Sequence, residues 1–254
     1  MVYIADLNDE FFDSLLYLNE YYGVTRNPFT NDFVIIMKYY TSDLRNYITK
    51  NFYNIEWNKK LKILIHIAEG LNHIHKQKII HRDLHSKNIL CENEDDVIIS
   101  DLGISKSAME STDDNEIFGI ISYMAPEIWK RKQYTTASDI YSFSMIMWEL
   151  MTGRKPFWNQ NDIDIMIKIH DGLRPPIVTN APKGYIKLMQ ECWNSDPNKR
   201  PKAADISERL INIREVEINN PTEIIKSSDI TITNNSGTSG TISTRGSSSS
   251  EQGN

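Results

Sequence analysis

The sequence is poor in cysteine: Cys91 and Cys192 are the only two in 254 residues. That is too few for a disulfide framework and reads as a reducing, cytoplasmic setting. It also lacks a basic excess. With 28 Lys+Arg against 34 Asp+Glu the formal net charge is −6, which argues against a nucleic-acid partner. Long apolar runs are missing too. The most apolar stretch, residues 140–151, is interrupted by Ser142, Ser144 and Glu149, whereas a membrane span needs roughly 20 apolar residues. It is expected to be a buried helix, and no membrane partner is expected. The opening MVYIADLNDE has neither a basic start nor an apolar core, so it does not read as a secretory signal. No internal repeat is visible. The C-terminal stretch TITNNSGTSGTISTRGSSSSEQGN contains no aromatic residue. It offers too little apolar surface to offset chain entropy and is expected to be a disordered Ser/Thr/Gly-rich tail, drawn as 217–254.

What remains is ordinary globular composition, 40% hydrophobic and 24% charged, with local patterns that predict elements. Residues 21–24 and 33–37 are β-branched and aromatic and bracket the turn-rich TRNPFTND, predicting a β-hairpin. After Asn58, apolar residues Leu61, Leu64, Ile65, Ala68, Leu71 and Ile74 recur at three- and four-residue steps, predicting a long helix. Short strands are expected at 89–91 and 97–99 around ENEDD. Helices are expected near 137–152, 162–171, 184–193 and 203–213, separated by Pro175, Pro176, Pro182, Pro197 and Pro201.

Three motifs stand out. HRDLHSKN places His81, Arg82, Asp83, Leu84, Lys87 and Asn88 together. Asp101-Leu102-Gly103 follows the predicted strand VIIS. Tyr123-Met124-Ala125-Pro126-Glu127 follows an acidic, Ser-rich segment. The first matches the H-R-D-L-x-x-x-N catalytic loop of protein kinases. The second resembles the metal-binding D-F-G motif, with Leu keeping an apolar side chain in place of Phe. The third resembles the Y-x-A-P-E that closes the activation segment. Together with SDIYSFSMIMWELMTGRKPF and YIKLMQECWNSDPNKRP, they make the chain resemble the protein kinase superfamily, closest to its tyrosine-kinase-like group, over residues 18–213.

The resemblance implies an α+β, protein-kinase-like fold. It would be mainly the helical C-terminal lobe (41–216), with 1–40 as a remnant β-hairpin of the N-terminal lobe leading into the hinge. It implies ATP and Mg²⁺ as cofactors and a protein substrate. Asp83 would act as base, Lys87 as the phosphate contact, and Asn88 and Asp101 as metal ligands, since Mg²⁺ prefers oxygen donors. Met37 would be the gatekeeper, with Lys38 and Tyr40 in the backbone segment that meets adenine. His81 and Arg82 would be structural members of the loop, Asp139 would anchor the loop backbone, and Glu127 would pair with Arg200.

Parts of the family pattern are missing. Gly23 is the only glycine before Met37, no lysine precedes Lys38, and Arg26 is the sole upstream basic residue. The Gly-rich phosphate cover and the strand lysine are thus not found, which reads as an N-terminally truncated kinase domain with weak nucleotide binding. Two functions are carried forward: transfer to protein Ser/Thr hydroxyls, and a pseudokinase-like regulatory module that binds another kinase or scaffold. Ile120 after Gly119 leaves Ser/Thr against Tyr specificity open. In SKSAMESTDDNE, Ser105, Ser107, Ser111 and Thr112 suit either a phosphorylated switch facing Arg82 or an ordinary acidic loop. A zinc site at His73, His75, His81 and His85 is weaker than core packing and a helix end. Trp148, Trp158 and Trp193 are expected to be core aromatics.

Overall fold

A computed structural model describes residues 19–102, 105–107, 119–130, 133–158 and 162–224. The predicted hairpin forms from β1 (Tyr21–Arg26) and β2 (Phe33–Met37), paired antiparallel. Its turn is closed by Asn27, whose side-chain oxygen accepts from the Phe29 amide at 2.9 Å.

The chain then enters β3 (Ser42–Asp43) and a short helix, α1 (Leu44–Asn51). Asp43 caps α1, accepting from the Asn46 amide at 2.8 Å. The long helix α2 (Trp57–Lys76) buries the predicted apolar stripe. Next come β4 (Ile79–Ile80), β5 (Ile89–Cys91), β6 (Val97–Ile99) and β7 (Lys106–Ser107). They form two small antiparallel sheets, β3-β5-β6 and β4-β7.

Four helices complete the body: α3 (Thr136–Thr152), α4 (Asp162–His170), α5 (Tyr185–Cys192) and α6 (Ala203–Asn219). From Ser138 to Thr152 every residue of α3 is buried, Ser142, Ser144 and Glu149 included, as expected of a core helix. It ends at Gly153, whose φ of 74° is left-handed. A Cβ there would lie 2.9 Å from the Phe52 ring, so both conformation and space require glycine. Trp57 packs edge-on to Tyr185 at 5.0 Å, and the Tyr185 hydroxyl donates to the Met147 carbonyl at 2.8 Å.

Two expectations change. Trp148 and Trp193 are buried, but Trp158 is 51% exposed, with Arg154 stacked over its ring rather than a core around it. Helix α6 continues past Ile213 to Asn219 because Glu217 is buried at its end, accepting from the Thr222 amide and hydroxyl, both at 2.7 Å. Most of the expected tail lies outside the described residues. Among the described residues no helix is long and apolar enough to cross a membrane.

Candidate active site

The loop after β4 is set by one carboxylate. Asp139, buried in the first turn of α3, accepts from the His81 amide at 2.9 Å and the Arg82 amide at 3.0 Å, and meets His75 Nε2 at 2.9 Å. Two successive amides converging on one anion need a tight turn, and Arg82 adopts a left-handed φ of 73° to supply it. The Arg82 guanidinium lies over the Tyr134 ring.

His81 is fully buried. Its Nδ1 accepts from the Asp83 amide at 3.3 Å, so Nε2 carries the proton and donates to the Ser100 carbonyl at 3.1 Å. Burial pushes its pKa down, which keeps the ring neutral.

Asp83 follows, half-buried, with Oδ1 sealed from water and lacking a hydrogen-bond partner. Asn88 donates from Nδ2 to the Asp83 carbonyl at 2.9 Å and contacts Asp83 Oδ2 at 3.4 Å. That fixes the amide orientation and leaves Asn88 Oδ1 without a protein hydrogen bond among the described residues. His85 is a member the sequence argument missed. Its Nδ1 accepts from the Lys87 amide at 3.2 Å, so Nε2–H faces Asp83 Oδ1 at 3.5 Å, just beyond good hydrogen-bond geometry. Burial raises the Asp83 pKa, but His85, His81 and the Asn88 bond outweigh it, and the carboxyl stays below its ordinary range. The carboxylate is therefore ionised at neutral pH. The signal for His85 is its position two residues after Asp83 within HRDLHSKN. His75, His81 and His85 each face a protein oxygen instead.

Gly119 closes over the loop from the other side. A Cβ there would sit 3.3 Å from Asp83 Oδ1, and its φ is 109°. Lys87 is exposed on the same turn as Asn88.

Ser100 joins the loop to the next motif. Its amide and hydroxyl both donate to the Asn88 carbonyl, at 2.8 and 3.0 Å. Asp101 follows, exposed and left-handed at φ 60°, and Leu102 packs against the core. The Tyr21 hydroxyl pKa is raised by burial and then by the Asp101 charge. Gly103, Ser111 and Thr112 lie outside the described residues. Ser105 donates to the Leu102 carbonyl at 2.7 Å.

Glu127 and Arg200 form a buried bidentate pair at 2.6 and 2.7 Å, and Arg200 also donates to the Ala137 and Asn194 carbonyls. Met37 is 46% exposed at the end of β2, and Asn19 Nδ2 approaches its sulfur at 2.8 Å. The Lys38 amide donates to the Glu20 carbonyl at 2.9 Å, while the Lys38 and Tyr40 side chains both turn to Asp96. Among the described residues no group of three or more His, Cys, Asp or Glu is placed to hold a metal. The oxygens of Asn88 and Asp101 are of the type that a hard cation prefers.

A mixed α+β body carrying this loop is consistent with a protein kinase fold. Residues 16–210 match the family of protein tyrosine and serine/threonine kinases. Similar proteins include a probable serine/threonine-protein kinase, roco5, of Dictyostelium discoideum, 35% identical over 193 residues, covering 70% of this chain and 7% of that one. Another is serine/threonine-protein kinase STY17 of Arabidopsis thaliana, 34% identical over 158 residues, covering 61% and 28%. A third is serine/threonine/tyrosine-protein kinase HT1 of the same plant, 32% identical over 177 residues, covering 68% and 45%. The chain thus spans less than half the length of each. It belongs to the protein kinase family.

Proposed function

We propose that the chain transfers the γ-phosphoryl group of ATP to serine or threonine hydroxyls of a protein. The observation that carries this reading is the Asp83–Asn88 pair. It combines an ionised carboxylate with an unbonded, sheltered Oδ1 and an amide locked so that its oxygen stays available. Asp83 orients the acceptor hydroxyl through the solvent-facing side of its carboxylate and takes its proton. The hydroxyl oxygen bonds to the γ-phosphorus, the bond from phosphorus to the bridging oxygen breaks, and ADP leaves. Lys87 places positive charge beside the moving phosphoryl group. Asn88 and Asp101 would hold Mg²⁺, which offsets phosphate charge when bound. Met37 and the backbone around Lys38 and Tyr40 receive the adenine. The serine/threonine class is supported by the names of the similar proteins.

The test is phosphate incorporation into dephosphorylated casein from labelled ATP and Mg²⁺, for the wild-type chain and Asp83→Asn. The variant should lose about 100-fold or more. Equal incorporation by both overturns the enzymatic reading and leaves the non-catalytic module. Label confined to phosphotyrosine overturns the hydroxyl class.

A further inference from the structure

The turn between β5 and β6 is unusually well fastened. Asn93 holds it internally, its side-chain oxygen accepting from the Asp95 and Asp96 amides at 2.8 and 3.1 Å. On the helix side, Glu94 pairs with Lys59 at 2.7 Å and accepts from the Tyr47 hydroxyl at 3.2 Å, while Asp95 pairs with Lys62. On the other side, three contacts reach the segment that leaves β2. Asp96 Oδ2 meets Lys38 Nζ at 3.1 Å, and Oδ1 accepts from the Tyr40 hydroxyl at 3.3 Å. Glu92 accepts from the Thr41 amide at 3.1 Å. The Lys38 ammonium also sits over the Tyr40 ring, 4.7 Å from its centre.

The strands on either side of this turn carry Asn88 just before β5 and Asp101 just after β6. One hairpin therefore holds the phosphate-side residues at one end and grips residues 38–41 at the other. We infer that Asp96 is a positioning residue for adenine: by gripping Lys38 and Tyr40 it sets the distance between the adenine-facing backbone and the metal-facing oxygens. This rests on the kinase reading of the site.

Lys38 and Asp96 are both partly exposed, so the grip is modest and salt-sensitive. The test uses the full chain with ADP·Mg²⁺, adenosine, and inorganic tripolyphosphate·Mg²⁺ as separate probes in calorimetric titrations. Asp96→Asn should weaken ADP and adenosine ~3-fold and leave tripolyphosphate unchanged, and Asp96→Glu should restore most of the loss. The Thr41 amide should exchange faster in Asp96→Asn. Equal weakening of all three probes means a general structural role and overturns the proposal, as does unchanged ADP affinity in a wild type that binds. A wild type that binds no nucleotide overturns the kinase reading itself, and the positioning role with it.

Discussion

The hairpin β1–β2 and the helix α3 are built from similar side chains and end up in opposite environments. Val34, Ile35, Ile36 and Met37 are each at least 40% exposed, while Ile140, Met145, Ile146 and Met147 are nearly or fully buried. The helical body goes further and buries charged groups: Glu149 beside Arg45, Glu127 beside Arg200, and Lys60 with no hydrogen-bond partner among the described residues. Burial is a property of the neighbours as much as of the side chain. The body has apolar area enough to tolerate costly polar groups, whereas the hairpin is held by ladder hydrogen bonds and a few polar contacts.

Breaking a buried pair in the body should have the largest effect. Arg200→Ala leaves the Glu127 carboxylate buried without its partner and should cost about 3–5 kcal/mol, read as a large drop in the denaturation midpoint. A change under about 1 kcal/mol would mean that the pair behaves like an exposed one.

Lys60 should respond in the other direction. It lies 4.0 Å from the Phe52 ring centre and 4.9 Å from that of Trp57, and burial pushes its pKa down to about 7. An unfolded lysine keeps its proton up to about pH 10.4. Between the two values the unfolded state binds more protons, so stability rises with pH from near 7 upward. Lys60→Met should stabilise the fold by about 2 kcal/mol near pH 7 and flatten the pH dependence between 7 and 8.5. The buried cysteines, whose pKa values burial raises, act in the opposite sense from the top of that window upward, so the Lys60 slope is read nearest pH 7. Denaturant titrations at several pH values check both points, and an unchanged slope would remove Lys60 as its source.

The smallest effect is expected in the hairpin. Ile35→Thr replaces a 56% exposed side chain and should shift stability by less than about 0.5 kcal/mol. A loss above 2 kcal/mol would show that Ile35 is covered in solution and would erase the contrast between the two regions.

Much of this was legible because it was local. HRDLHSKN, the strands at 89–91 and 97–99, and the α2 stripe are each written in adjacent residues. Helix α1 was not foreseen: it is short, and only Leu44 and Ile48 of its residues are buried, too few to show a period. The burial of Lys60 was not foreseen because a lysine in the pattern WNKKLK reads as solvated. Its aromatic neighbours include Phe52, which belongs to a different element. The link from Asp96 to Lys38 and Tyr40 joins residues far apart in the chain, a kind of information that spacing alone does not contain.

The Ser100 bonds to the Asn88 carbonyl lie at the opposite end of β5–β6 from the turn at 92–96. They close the strand pair just before Asp101 on their own. Extra residues could thus be accommodated in the turn without altering the separation of Asn88 and Asp101, at a loop-closure cost that grows only slowly with length. The turn's contacts with residues 38–41 and with Tyr47, Lys59 and Lys62 would be lost. The fold therefore leaves room for insertions at this turn, where chain length can vary while the separation of Asn88 and Asp101 stays fixed.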